Sequence, residues 1–260
     1  MDLQLQNKNI IITGGLKGIG GGITLSLAKE GAIPIIISRT ENKAFEEKLQ
    51  KITKNYAIYY FDLKNHQEIE NLTKNILQKF PNIYALVNNA GMNDNLDILQ
   101  TPVKKLIESY ENNLFHYYEL TRILFPSIQK NQGNILNIVS KTGITGQGKT
   151  SAYASAKAAQ IGFTREWACA FAKDNVRVNA IAPAEVMTPL YEKWLQNFKD
   201  PKAQYNNIAS KIPLGKRFTT IEEIADFATF IISPKSSHTT GQIFHIDGGY
   251  VHLDRALNWD

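Results

Sequence analysis

Seven short runs of β-branched or aromatic apolar residues punctuate the chain, and a longer stretch with helical spacing follows most of them. The runs are "NIIIT", "IPIIIS", "AIYYFD", "IYALVNNAG", "GNILNIVS", "VRVNAIAP" and "GQIFHIDGG". A strand with one wet face alternates apolar and polar residues; these runs are apolar on both phases, so both faces must be covered. Strand and helix alternating in this way predict an α/β fold: a parallel seven-stranded sheet, doubly wound with helices on each side. No linker, low-complexity tract or repeat interrupts the 260 residues, so 1–260 reads as a single domain. The stretch of about 184–220 departs from the strand–helix rhythm, carrying several prolines and aromatic residues at helical spacing. It predicts a helical insertion covering a crevice beyond a strand's carboxyl end.

Composition narrows the function classes. The 29 basic and 24 acidic residues leave a mild charge of +5, and the lysines are scattered, as on a solvated surface rather than a nucleic-acid patch. Cys169 is the lone cysteine, which excludes an internal disulfide and a thiolate metal site. Its setting, "WACAFA", predicts a packed, inert thiol. The histidines at 66, 116, 238, 245 and 252 lack metal-ligand spacing, and no metal is expected. His116, within "HYY", is expected at a packed interface. The start "MDLQLQNKN" has no signal-peptide pattern and the apolar runs are strand-sized, so no membrane span and a cytoplasmic location are expected.

Between the first strand and first helix lies "TGGLKGIG". Glycines there permit a tight turn and a close approach of backbone N–H groups to a pyrophosphate at the helix N-terminus. Gly14, Lys17, Gly18, Ile19 and Gly20 are therefore candidate dinucleotide contacts, and the fold is expected to be of the Rossmann type. An acidic residue after the second strand would hold the adenosine ribose hydroxyls; the chain has Ser38 and Arg39 instead. A guanidinium forks onto phosphate, which favours NADP, although Arg39 stacked on adenine would suit NAD also.

The segment "SAYASAKAAQ" sets Tyr153 and Lys157 one helical turn apart among small residues. The strand "GNILNIVS" delivers Ser140 at the carboxyl end of the sheet, where open α/β sheets bind ligands. Together "TGGLKGIG", "NNAG", Ser140 and "YASAK" resemble the classical short-chain dehydrogenase/reductase family across essentially the whole chain. The resemblance implies an NAD(P)-dependent oxidoreductase with Tyr153 as general base or acid, Lys157 as its cationic neighbour and holder of the nicotinamide ribose, and Ser140 bonded to the substrate oxygen. It implies that Asn113 supports, through its carbonyl, a water-linked proton relay to the lysine, with Asn112 the competing position. A free phenol ionises near pH ~10. A nearby ammonium, together with the charge of the cofactor's nicotinamide, is expected to bring Tyr153 toward the working pH.

The same resemblance carries Asp62 and Leu63 to the adenine, Asn89, Ala90 and Gly91 to the middle of the cofactor, and Pro183, Val186 and Thr188 to its nicotinamide end. Ala184 stands where the family usually has glycine. Finer segments, among them "NAGMNDN", "PAEVMTPLYEKWLQNF" and "DGGYVHLDRAL", are similar to the bacterial L-fucose dehydrogenase subgroup. That likeness implies oxidation of an aldose at C1 to its lactone: L-fucose, D-arabinose or L-galactose. Asn93, Asp94, Lys141, Gln147, Glu185 and Trp194 are the candidate sugar contacts. An NADPH-dependent carbonyl reductase and a non-catalytic cofactor-binding regulator stay open beside it. The family commonly forms homotetramers, and the tail with Arg255 is a candidate contact to a neighbour's pocket.

Overall fold

Burial on both faces is what the strands' composition demands, and the structure, a computed structural model, describes residues 1–254 accordingly. The chain runs β1 (Asn9–Thr13), α1 (Gly18–Lys29), β2 (Ile33–Ser38), α2 (Lys43–Ile52), β3 (Ala57–Tyr60), α3 (Ile69–Lys79), β4 (Ile83–Asn88), α4 (Val103–Asn113), α5 (Phe115–Lys130), β5 (Asn134–Ile138), α6 (Ser151–Phe171), β6 (Arg177–Ile181), α7 (Pro189–Leu195), α8 (Pro201–Ala209), α9 (Ile221–Ile232) and β7 (Ile243–Phe244). The seven strands pair in the order β3-β2-β1-β4-β5-β6-β7, every neighbour parallel. Alternate residues of one strand feed opposite cores: Ile10 and Ile12 join Ile23, Leu27, Ile224 and Ile231 on the α1/α9 side, while Ile11 joins Leu120, Leu124 and Trp167 on the α5/α6 side. The doubly wound expectation holds.

The order in which strands are added reverses between β1 and β4, which opens a crevice beyond their carboxyl ends. Thr13, Asn88, Ile138 and Ile181 close β1, β4, β5 and β6 at that edge, so the segments after them face one another. Buried side-chain bonds fix α6 against the sheet there. Asn88 donates to Asn137 on β5 at 3.0 Å, and Asn137 donates to the Thr164 hydroxyl on α6 at 3.0 Å.

Two helices occupy the proline-bearing stretch after β6 because the prolines stand where helices start. Pro189 and Pro201 open α7 and α8, and the preceding Thr188 and Asp200 accept from the Tyr191 and Ala203 N–H groups. Among the described residues no helix is long and apolar enough to cross a membrane.

Two sequence expectations need correction. Cys169 is exposed, not packed. Trp167 and Ala168 turn inward, and the next step around α6 carries Cys169 outward onto a face shared with Arg165 and Glu166. His116 is buried within the subunit's own core, where its Nε2–H donates to the Asn112 carbonyl at 3.1 Å, and burial holds its pKa down at about 4.

Arg177 on β6 ties the far edge of the sheet to α9. Its buried guanidinium donates to the carbonyls of Ile231 (3.0 Å), Ile232 (3.4 Å), Ser233 (3.1 Å) and Thr239 (3.3 Å), a cation at a helix C-terminus. Arg177→Met should strand these acceptors and lower unfolding free energy by about 3 kcal/mol, read from urea denaturation.

Candidate active site

The first element of the site is the turn after β1. Gly14 and Gly18 adopt positive φ, +67° and +53°. A Cβ on Gly20 would stand 2.4 Å from the Asn89 side-chain nitrogen and 2.6 Å from the Gly14 carbonyl oxygen, so only glycine lets α1 begin so close to the loop after β4. The Lys17 N-cap supplies no side-chain acceptor to the first turn of α1, which leaves those N–H groups for a ligand. Ile19 packs partly on the core. Thr188, at the start of α7, lies over the same turn: its side chain is 3.8 Å from where a Gly18 Cβ would be. A helix N-terminus uncapped by its own side chains, roofed by a hydroxyl-bearing residue, fits a dinucleotide's pyrophosphate.

Thr13 organises the next layer. Its hydroxyl accepts from the N–H groups of Asn89 (2.8 Å) and Ala90 (2.9 Å), and its carbonyl accepts from the Asn89 amide at 2.8 Å. This fixes Asn89, Ala90 and Gly91 along the crevice. Gly91 is required by a different crowding: a Cβ there would lie 2.8 Å from Asn113 Oδ1 and 3.6 Å from Lys157 Nζ.

Ser38 and Arg39 follow β2. The Ser38 hydroxyl donates to the Thr40 carbonyl, and Arg39 is exposed, its guanidinium in no ion pair among the described residues. Asp62 accepts from the Lys64 N–H, while the Leu63 side chain is buried in the core with Ile11 and Ile35. Whatever Leu63 offers an adenine is therefore mostly backbone. Pro183 accepts from the Lys141 N–H, and Val186 is buried and bridges to Thr219.

The catalytic candidates converge beside Gly91. Ser140 closes the segment after β5 and hydrogen-bonds Tyr153; its hydroxyl oxygen also accepts from Thr142 Oγ1 at 3.0 Å. Lys157 is 3 % exposed and its ammonium donates to the Ile138 carbonyl (2.9 Å) and Gln160 Oε1 (3.1 Å), with the Tyr117 hydroxyl at 3.5 Å. Of the two adjacent asparagines, Asn113 is the one at the site. Fully buried, its Oδ1 accepts from the Met92 N–H at 2.8 Å, whereas Asn112 bonds back to the Glu108 carbonyl.

One electrostatic expectation, the share given to the lysine, is corrected by this geometry. The phenol of Tyr153 is not acidified by its neighbour: burial pushes it up to about 12, the Ser140 hydrogen bond draws it down, and the Asp94 charge adds to the rise. The Lys157 ammonium lies 5.6 Å from the Tyr153 ring centre, spending its hydrogen bonds on β5 and Gln160, and burial lowers its pKa to about 7. The Asn113 carbonyl accepts from the Gln160 amide.

At the crevice mouth the predicted sugar contacts divide. Lys141 and Glu185, 7 % and 8 % exposed, form a buried ion pair with each other. The Tyr191 hydroxyl donates to the second Glu185 oxygen at 2.6 Å, and the Tyr250 ring centre lies 4.1 Å from Lys141 Nζ. Four segments of the chain thus meet in one cluster. Asp94 lies near Tyr153, its Oδ1 accepting from the Leu96 N–H and its buried Oδ2 without a partner. Asn93 Oδ1 accepts from the Asn95 N–H, Gln147 is exposed in the loop before α6, and Trp194 packs between Tyr191 and Phe198 on α7. Arg255 lies outside the described residues. Sequence reading passed over Thr13, Tyr117, Gln160, Tyr191 and Tyr250; only Thr13, a hydroxyl residue immediately before the glycine turn, carried a local signal.

A crevice at the switch point of a parallel sheet, a glycine-lined helix N-terminus and a Ser–Tyr–Lys cluster define a nicotinamide-dinucleotide-dependent oxidoreductase. Comparison with known proteins agrees. The family described as enoyl-(acyl carrier protein) reductase matches residues 14–251. The chain is 33% identical to the 3-oxoacyl-[acyl-carrier-protein] reductase FabG of Thermotoga maritima, over 96% of this chain and 100% of that protein. It is 30% identical to L-fucose dehydrogenase of Oryctolagus cuniculus, over 93% of this chain and 84% of the relative. Among solved structures, that of Cj0485 dehydrogenase has 68% identity, a TM-score of 0.98 and full coverage of both chains. L-sorbose reductase from Gluconobacter frateurii, complexed with NADPH and L-sorbose, has 27% identity and a TM-score of 0.92 over 98% of this chain and 100% of that one. The chain belongs to the short-chain dehydrogenase/reductase family.

Lys141→Met should leave the Glu185 carboxylate buried with a tyrosine for company and cost about 3–5 kcal/mol. Adding Glu185→Leu should recover most of that loss, measured as a double-mutant cycle in urea.

Proposed function

We propose that the chain oxidises an aldose at C1 to the lactone, with L-fucose or a sugar of like configuration (D-arabinose, L-galactose) as substrate and NADP as cofactor. The observation that carries this reading is the buried, unpartnered Asp94 Oδ2 beside Tyr153. An orphaned carboxylate oxygen next to a proton-transfer residue calls for a hydroxyl donor, and a polyol presents several. The L-fucose dehydrogenase and L-sorbose reductase likenesses support the same substrate class. Asn93, Gln147 and Trp194 stand as further candidates at the mouth, under a helical insertion that we read as covering the substrate.

In this mechanism Ser140 holds the C1 oxygen, and Tyr153 takes the hydroxyl proton as negative charge develops there. The Ser140 hydrogen bond favours the phenolate against the burial that opposes it. NADP, when bound, supplies the hydride acceptor and a positively charged ring near the phenol. Gly14, Lys17, Gly18, Ile19, Gly20 and Thr188 would hold its pyrophosphate, Asn89, Ala90 and Gly91 its middle, and Asp62 and Leu63 its adenine. Pro183 and Val186 would line its nicotinamide, and Ser38 and Arg39 its 2′-phosphate. Arg39 is exposed and, among the described residues, in no ion pair, which supports NADP over NAD.

A carbonyl reductase working in the opposite direction is the second reading, favoured by the 33% identity to a 3-oxoacyl reductase. We also infer a cytoplasmic homotetramer; exposed Leu99, Val103 and Ile107 around α4, with Tyr118 on α5, support burial against another copy.

An aldose panel with both cofactors, followed at 340 nm, should give its highest kcat/KM with L-fucose or a configurational relative. Tyr153→Phe should lower that kcat at least ~1,000-fold while NADPH binding persists. A 3-oxoacyl thioester turning over better than every sugar would overturn the assignment. Arg39→Asp should reverse cofactor choice toward NAD; the ratio of kcat/KM values for the two cofactors reads it.

A further inference from the structure

Behind Lys157 the chain places the side-chain amide of Gln160. Gln160 is fully buried on α6, one turn beyond the lysine and on the same face. Its two ends are used separately. Oε1 accepts from the Lys157 ammonium at 3.1 Å, and the Nε2 group donates to the Asn113 main-chain carbonyl at the end of α4. Gln160 also contacts the Tyr117 hydroxyl on α5. One side chain thus spans α4, α5 and α6 at the point where the catalytic lysine is held.

We propose that Gln160 is the positioning residue of the catalytic lysine, binding its ammonium and tying it to the Asn113 carbonyl. The inference rests on the role given to Lys157 above. An amide in this orientation presents a donor to a carbonyl and an acceptor to a cation, so both partners are matched and neither end can be exchanged. Gln160 therefore fixes Lys157 against the Asn113 carbonyl.

Few other groups compete for the lysine's charge state. From α4 and α5 it faces Asn113, neutral His116 and Tyr117; from β5 the Ile138 carbonyl and Ser140; on its own helix Tyr153. Asp94, on the loop after β4, acts on Tyr153. The neutral acceptor Gln160 Oε1 favours the ammonium form, so removing it and replacing it with a carboxylate must have opposite effects.

The test is a titration of the lysine ammonium groups by nuclear magnetic resonance in 15N-lysine-labelled, cofactor-free protein, with Lys157 assigned by the resonance lost in Lys157→Met. In Gln160→Met the Lys157 midpoint should fall by about half a pH unit or more, and in Gln160→Glu it should rise by a similar amount. Where the methionine variant fails to fold, Gln160→Asn, too short to span both partners, should give the fall. Midpoints that stay at the wild-type value, or that move in the same direction in the folded variants, would overturn the proposal. A residue that merely filled space would change the melting temperature without this reversal of sign. The titration needs no substrate, so it fails or succeeds independently of the aldose assignment, which Tyr153→Phe kinetics decide.

Discussion

A single backbone oxygen, that of Ile138 at the end of β5, holds the reacting end of the molecule together. It accepts from both the Lys157 ammonium and the Tyr117 hydroxyl, at 2.9 and 3.0 Å. A carbonyl at the last residue of a strand is free to do this because the ladder no longer needs it. Through it the sheet fixes α5 and α6 at once, and with them the helix face that carries Tyr153. The buried Asn88–Asn137–Thr164 chain below repeats the same logic with side chains. Chemistry at this site is thus positioned by polar contacts, while the apolar layers on either face set only the distance between sheet and helices.

The electrostatic balance of the cluster follows from that packing. Burial works against charge on both members of the Tyr–Lys pair, raising the phenol and lowering the ammonium. The protein alone therefore holds a neutral phenol, and under the proposed reading the positive charge that favours proton removal would come with the dinucleotide.

How much of this was legible in the sequence depended on the range of the signal. The parallel sheet and its both-face burial followed from Ile-rich runs such as 10–12 and 35–37, because apolar content on both phases permits little else. Gly14, Gly18 and the Ser140–Tyr153–Lys157 set were legible since local spacing and strand ends determine them. Gln160 was not. Its neighbours in sequence are alanines, and its partners are Asn113 on another helix and a lysine whose direction depends on β5. The Lys141–Glu185 pair was read as two free pocket residues for the same reason: forty-four positions separate them, and only the fold discloses that they satisfy each other. Cys169 erred at the level of a single helical step, where "apolar stretch" says nothing about which of several directions a side chain takes.

The buried cluster of Lys141, Glu185, Tyr191 and Tyr250 joins the loop after β5, the segment after β6, α7 and the C-terminal segment, while Ser140 and Tyr153 bond elsewhere. The α7 cluster and the Ser140–Tyr153 pair are therefore fastened by different bolts. Exchange of α7 and α8 for the equivalent helices of a relative would keep its footing so long as the incoming segment brought a hydroxyl to Glu185. Under the proposed reading, such a graft would change the substrate and leave Ser140 and Tyr153 as they stand.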